Sequence, residues 1–379
     1  MANNNDNKIL NVPHLRFPEF QEEWKKCKLG DLCNVLMCKR ILASQTNTED
    51  GVPFYKIGTI GSTPDAYISK ELFDDYKVKY NYPHKGEVMI TCAGTVGKCV
   101  VYDGEDAYFQ DSNIVWIDNP TQNISNGFLF HLLSKVDWRK LNSTTIIRIY
   151  NDDLRNLKMS YPQKKEQQKI SHLLSLLDER IATQNKIIED LKKLKSAISK
   201  KLLCNDKWTT YKIQDIAEIG RGRVISSVEI DRQKNPLYPV YSSQTSNNGI
   251  MGYLDNYMFD GEYITWTTDG ANAGTVFYRK GKFNCTNVCG TLKIQPKFDC
   301  YFVSLVLQQA TQKYVSSNLA NPKLMNNTMA SIKIRMPNIE TQKQLSKVFQ
   351  TLDSCLLVHQ RTCKTYLSEK QYLLCQMFI

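Results

Sequence analysis

The chain has 379 residues, 42% of them hydrophobic, enough for two or three domains that each bury a core. A formal net charge of +11 points toward a polyanionic partner, because lysine and arginine that neutralise phosphates release condensed counterions. The polar start "MANNNDNKIL" lacks the features of a secretory signal, and no apolar run approaches the roughly 18–20 residues of a membrane span. A cytoplasmic protein with no membrane partner is expected.

From about Leu15 to Tyr161 the chain reads as short strands broken by glycine turns. "EVMITCAGTVGKCVVYD" carries β-branched runs interrupted by Gly94 and Gly97, and "AYFQDSNIVWID" follows it. One helix is predicted within this half, over Gly127 to Leu141. Beyond Pro162 the period changes. Ile170, Leu174, Leu177, Ile181, Gln184, Ile188, Leu191, Leu194, Ile198 and Leu202 recur at alternating threes and fours, the mark of a long helix with a coiled-coil seam. Roughly forty residues make a rod of about 60 Å. A second strand-rich half follows, with "EYITWTTDGANAGTVFYRKGKF" as its glycine-broken strands and "FVSLVLQQATQKYV" as its helix. Leu345, Phe349, Leu352, Leu356, His359, Cys363, Tyr366 and Leu373 then mark a second, less regular seam. The expected fold is α+β: two mixed domains separated by two long antiparallel helices.

The second half repeats the first. Pairing Pro162 with Pro337 sets an offset of 175 residues and aligns Gln167 with Gln342, Ile170 with Leu345, Leu177 with Leu352 and Asp178 with Asp353. At the same offset Gly86-Glu87 meets Gly261-Glu262, and Asn151, Leu154 and Leu157 meet Asn326, Met329 and Ile332. This period far exceeds the roughly 20–50 residues of a solenoid unit, so a whole domain-plus-helix unit is duplicated.

Catalytic motifs are near misses. Ala93-Gly94-Thr95-Val96-Gly97-Lys98 resembles the end of a phosphate loop, but Cys92 stands where its first glycine belongs and Cys99 where a magnesium-binding hydroxyl belongs; a strand turn is the better reading. Asn235-Pro236-Leu237-Tyr238 departs from an adenine-methyltransferase motif at its third position, and no glycine-rich turn precedes it. His14, His84, His131, His172 and His359 form no metal-spaced pair, and the twelve cysteines contain no C-x-x-C. Neither a catalytic nor a metal-binding constellation is expected, and reduced thiols filling cores and seams are.

Residues able to read base edges remain. Arginine is bidentate to guanine, and asparagine or glutamine to adenine. In the first half the candidates are Lys39, Arg40, Lys56, Thr91 and Lys98. In the second they are Arg221, Arg223, Ser242, Ser243, Gln244, Asn247, Asn248, Thr267, Thr268, Asp269 and Asn272. The stretch from Thr267 aligns with that from Thr91, so one loop recurs with different side chains.

Over nearly its full length the chain resembles the specificity subunit of type I restriction-modification systems. "PHLRFPEFQEEWKKCKLGDL" resembles the start of the family's first target-recognition domain, and "KWTTYKIQDIAEIGRGR" the start of its second. "TIIRIYNDDLRNLKMSYPQKKEQQKI" resembles the passage into its first conserved helix, with Pro162, Glu166 and Gln167 as Pro-x-x-x-Glu-Gln. The second copy departs by carrying Thr341 before Gln342, which is expected to weaken helix capping at that junction. The resemblance implies recognition domains at 1–161 and 206–336, conserved helices at 162–205 and 337–379, and a half of a split double-stranded DNA target read by each domain. It also implies two modification subunits that methylate adenine with S-adenosylmethionine, docked on the helices, and a restriction subunit using ATP and Mg. This chain would itself be non-catalytic and bind none of these cofactors. A methylation-only complex, a coiled-coil scaffold without DNA function, and a free-standing enzyme are the alternatives.

Overall fold

The computed structural model describes residues 10–140, 147–203, 206–316 and 321–379. Residues 1–9 of the polar start, Leu141 at the predicted end of the first-half helix, 145–146 of the junction motif and Cys204 lie outside them. The chain divides into two compact units, one formed by Met1–Asn185 with Arg361–Ile379 and the other by Lys186–Gln360.

The first unit contains β1 (Lys25–Lys28), β2 (Asn34–Leu36), β3 (Val52–Tyr55), β4 (Tyr67–Ile68), α1 (Lys70–Lys79), β5 (Val88–Thr91), β6 (Cys99–Val101), β7 (Tyr108–Phe109), β8 (Ile114–Asp118), α2 (Asn126–Lys135), α3 (Asn151–Arg155), β9 (Lys158–Tyr161) and the first part of α4 (Lys164–Leu202). Its main sheet runs β2-β8-β5-β6. A three-stranded sheet runs β4-β3-β7 with β3 parallel to β7, and β1 pairs with β9. Side chains alternate across a strand, and both faces of the main sheet are covered. Val88, Ile90, Val115 and Ile117 face Trp24, Phe128 and Leu174, while Met89, Ile114 and Trp116 pack with Phe73 and Tyr108. Double coverage explains why all four residues of β5 are buried and why their sequence is continuously apolar up to Thr91.

The second unit repeats the strand order, with its small helix placed before β12 instead of after β13: β10 (Thr209–Lys212), β11 (Ala217–Arg221), α5 (Ser227–Asp231), β12 (Tyr238–Tyr241), β13 (Ile250–Leu254), β14 (Glu262–Thr267), β15 (Val276–Lys280), β16 (Asn284–Cys285), β17 (Cys289–Ile294), α6 (Cys300–Ala310), α7 (Asn326–Ser331), β18 (Lys333–Met336) and the first part of α8 (Ile339–Met377). Its sheets run β11-β17-β14-β15 and β13-β12-β16, with β12 parallel to β16, and β10 pairs with β18. Strand for strand, the topology is that of the first unit. The helix-side face is again apolar, with Ile264, Trp266 and Leu292 against Phe302 and Phe349. The opposite face differs: Thr265, Thr291 and Arg279 are buried there, over a small core of Ile225, Val240 and Leu254.

The duplication extends to hydrogen bonds. Gln167 accepts from the Ser125 N–H at 2.6 Å and donates to the Pro162 carbonyl at 2.8 Å. Gln342 accepts from the Asp299 N–H at 3.0 Å and donates to the Pro337 carbonyl at 2.8 Å. Each glutamine joins the start of a long helix to the N-cap of the domain's helix, Ser125 for α2 and Asp299 for α6. Within the first unit α4 and α8 run antiparallel, Asp178 pairing with Lys370, Arg180 with Tyr366 and Asn185 with Cys363. In the second unit Asp353 pairs with Lys195, the same ion pair displaced by one repeat.

Several expectations change. The helix expected over Gly127 to Leu141 ends at Lys135, where Val136 turns extended at ψ 125°. The stretch from Phe302 to Val315 is α-helical only to Ala310 and then tightens into a 3₁₀ turn. The residues of the seam are divided between the two units. Ile170 and Leu174 are buried in the first unit's core beside Leu374, Met377 and Phe378, while Leu345, Phe349 and Leu352 belong to the second unit's core. Leu177 is buried; Ile181, Ile188, Leu191 and Leu356 are half-buried; Leu194 is 48% exposed. A heptad pattern marks one face of a helix without saying which partner covers each turn of it.

The departure at Thr341 does not leave the start of α8 without a cap, because Asn338 Oδ1 accepts from the Thr341 N–H at 2.9 Å. Glu166 is fully buried and holds Arg16 through two hydrogen bonds of 2.7 and 2.8 Å, with the Trp24 indole donating at 3.3 Å. That carboxylate anchors the segment preceding β1 and does not cap α4.

Candidate nucleic-acid interface

The turn between β5 and β6 and the turn between β14 and β15 are built alike. Gly97 donates to the Thr91 carbonyl and Gly274 to the Thr267 carbonyl; the Cys92 and Thr268 carbonyls accept from Ile149 and Leu324. Both glycines have left-handed backbone, at φ 83° and 82°, and a Cβ on either would meet a side chain at once, Trp138 at 2.2 Å or Val315 at 2.7 Å. The Ala93–Lys98 stretch is thus a strand turn, its glycines serving tight geometry.

Side chains specialise the two turns. In the first unit the Thr91 hydroxyl donates to the Thr95 carbonyl and accepts from the Lys98 N–H at 3.0 Å, and Thr91 is fully buried. The Lys98 ammonium donates to the Ile60 carbonyl, and Thr95 Oγ1 donates to the Ile57 carbonyl at 3.0 Å. Both side chains brace the neighbouring 56–61 loop, and Thr91 is turned into the fold. Of the other candidates in this unit, Lys39 lies over the Tyr80 ring at 5.3 Å, Arg40 is 3.0 Å from Asp111, and the half-buried Lys56 is 2.9 Å from Asp65.

In the second unit the candidates converge. Arg221 Nη2 donates to Thr268 Oγ1 at 2.9 Å and to Asp269 at 3.1 Å, and its Nε donates to the Asn287 carbonyl. Lys323 lies 3.6 Å from the other oxygen of Asp269. Asn272 donates to the Ser243 carbonyl at 3.2 Å, tying this turn to the 242–249 loop. There the Ser242 N–H donates to the Gly249 carbonyl at 2.8 Å and the Gln244 amide to the Ile250 carbonyl, while residues 245–248 are exposed. Thr267 and Thr268 are buried and support the turn. Arg223 is not in this cluster. It pairs with Glu229 at the start of α5, a contact that raises the arginine pKa and lowers the glutamate's.

Sequence reading missed Lys323 and Arg279. Lys323 reaches the cluster through backbone contacts between the 268–270 turn and residues 322–324, long-range contacts with no local signal. Arg279 sits in an ordinary strand, "VFYRK", where basic residues are commonly solvated.

The described cysteines are free, and burial pushes several thiols up, Cys289 to about 11 and Cys92 and Cys300 to about 12. No helix among the described residues is long and apolar enough to cross a membrane.

Known proteins share this plan. The chain is 47% identical over 184 residues to a Haemophilus influenzae protein assigned as type I restriction enzyme specificity subunit S.HindORF215P, the match covering 48% of this chain and 45% of that one. It is 42% identical over 146 residues to the type I restriction enzyme MpnII specificity subunit of Mycoplasma pneumoniae, covering 38% and 43%; the chain spans less than half the length of either relative. A third relative, the Mycoplasma pneumoniae protein assigned as type I specificity subunit S.MpnORF365P, is 36% identical over 215 residues, 55% of this chain and 79% of that one. In fold, the chain matches the crystal structure of the type I restriction-modification system S subunit from M. genitalium with a TM-score of 0.71 at 17% identity, covering 97% and 99% of the two chains. The model of the type I restriction modification DNA specificity domain matches twice, at residues 21–193 and 205–365, and the chain belongs to the family that this domain defines.

Proposed function

We propose that each unit reads one half of a bipartite double-stranded DNA target, that α4 and α8 dock two modification subunits, and that chemistry resides in those partners. The modification subunits would methylate adenine using S-adenosylmethionine, and a restriction subunit would use ATP and Mg to translocate and cut DNA. One observation carries the reading: two units of identical strand order present the same turn with different side chains. A shared scaffold with divergent loops suits two half-sites of different sequence, since base identity is read by side chains while phosphate contacts only position. A basic chain adds the salt-dependent, sequence-independent part of the affinity.

The test is to reconstitute the chain with modification subunits and map methylated adenines. A split, asymmetric motif is expected. Exchanging residues 206–336 for those of a relative should change one half of the motif and leave the other. A continuous motif, or a perfect palindrome, would overturn the proposal.

A further inference from the structure

Arg279 is the most unusual charge among the described residues. It is 7% exposed and makes no ion pair there. A guanidinium removed from water without a carboxylate partner is costly, and burial lowers its pKa. Its surroundings compensate in a specific way. The guanidinium carbon stands 3.5 Å from the centroid of the Tyr241 ring and 4.4 Å from that of Phe277, placing the cation against two π faces. Nε donates to Thr265 Oγ1 at 3.2 Å, and Nη2 donates to the Asn248 backbone carbonyl at 2.8 Å.

That last bond lands on a strained turn. Asn247 and Asn248 are both left-handed, at φ 48° and 53°, a conformation that L-residues visit singly and at a cost. Gly249 follows at φ 81°, and a Cβ there would lie 3.1 Å from the Gln244 carbonyl oxygen and 3.2 Å from Arg279 Nη2. The arginine therefore fills the space under the turn. Above it, Asn247 and Asn248 are exposed, and their side chains make no hydrogen bond among the described residues. Asparagine amides presented in this way match the N6 and N7 edge of adenine.

We propose that Arg279 is a positioning residue for recognition in the second half-site: it holds the 242–249 loop so that Asn247 and Asn248 present their amides to one or two adjacent base positions. Among the described residues the first unit has no counterpart, because the corresponding sheet face there carries an apolar core. This inference rests on the function proposed above.

The experiment uses the full chain with its modification subunits and compares wild type with Arg279→Lys, Arg279→Met and the double variant Asn247→Ala/Asn248→Ala. The motif from methylated adenines and the salt dependence of DNA binding are read together. The Arg279 variants should lose about tenfold or more of their discrimination at one or two adjacent positions of the second half-site. The first half-site and the salt slope should stay unchanged. The double asparagine variant should relax the same positions, and adding Arg279→Met to it should bring little further loss. A purely structural role would lower methylation at all sites without altering the motif, and a phosphate contact would reduce the salt slope by about one; either result overturns the proposal. Should the Arg279 variants fail to fold, Asn248→Gly, which keeps the left-handed backbone, and Gly249→Ala decide, and an unchanged motif in both would reject it. If exchanging residues 206–336 leaves the wild-type motif intact, the reading of half-sites fails first, and that outcome is distinct.

Discussion

Arg221 and Arg223 are neighbours in sequence with different duties. Arg221 is locked into a cluster with Thr268 and Asp269, which face the loop held by Asn272; Arg223 is 43% exposed and pairs with Glu229. Replacing Arg221 with alanine should therefore disturb the second half-site, costing roughly 1–3 kcal/mol at a contacted base. Replacing Arg223 should weaken binding about equally across sequences and reduce the salt slope by about one. Titrations of cognate and scrambled duplexes at several salt concentrations separate the two. Unchanged affinity in both variants would remove them from the interface. The sequence made these arginines legible because basic side chains beside glycine suggest loops. It left Arg279 illegible, because nothing local distinguishes a strand arginine under an aromatic pair from one in water.

Long helices were the most legible elements, since their period persists for ten turns, and the duplicated glutamines and ion pairs follow from the repeat. What each helical turn packs against was hidden, and His131 illustrates the consequence. It lies on α2, fully buried, with Asp178 of α4 and Lys370 of α8 close enough to influence it. Burial pushes its pKa down to about 4, Lys370 lowering it further and Asp178 opposing. The folded state thus refuses a proton that the unfolded chain accepts near pH 6.5. Its contribution is fully present above about 6.5 and diminishes as pH falls, levelling off below about 4. Between pH 7 and 5 the first unit should lose about 2 kcal/mol from this group, measurable by denaturant unfolding. A His131→Leu variant should lack that increment, and an identical pH slope in both proteins would exclude the assignment.

The repeat has a consequence for the whole molecule that neither unit reveals alone. Leu203, at the end of α4, is buried in the second unit's core, and Phe378, one repeat later, is buried in the first unit's. Each core is therefore finished by the helix that the other repeat supplies. A fragment of residues 1–205 lacks Leu374, Met377 and Phe378 but carries the equivalent stretch around Leu203. Two such fragments should exchange these ends and form a C2 dimer. With modification subunits added, the motif should become the first half-site followed by its own inverse complement. Mass in solution and methylation mapping test this together, and a monomer that methylates nothing would show that the repeats are no longer interchangeable.

The position of Phe378 also orders events during synthesis. Phe378 contacts Trp24 and Phe128 at ring-centroid distances of 6.4 and 4.9 Å, and the Gln376 carbonyl accepts from the Leu15 N–H at 2.9 Å. A ribosome adding about 5–20 residues per second makes Trp24 and Phe128 early and then spends on the order of 10–30 s on the other unit before their last partner emerges. The unit begun first is completed last. Its nascent core must wait, incompletely packed, while the contiguous Lys186–Gln360 unit acquires all of its residues in one pass.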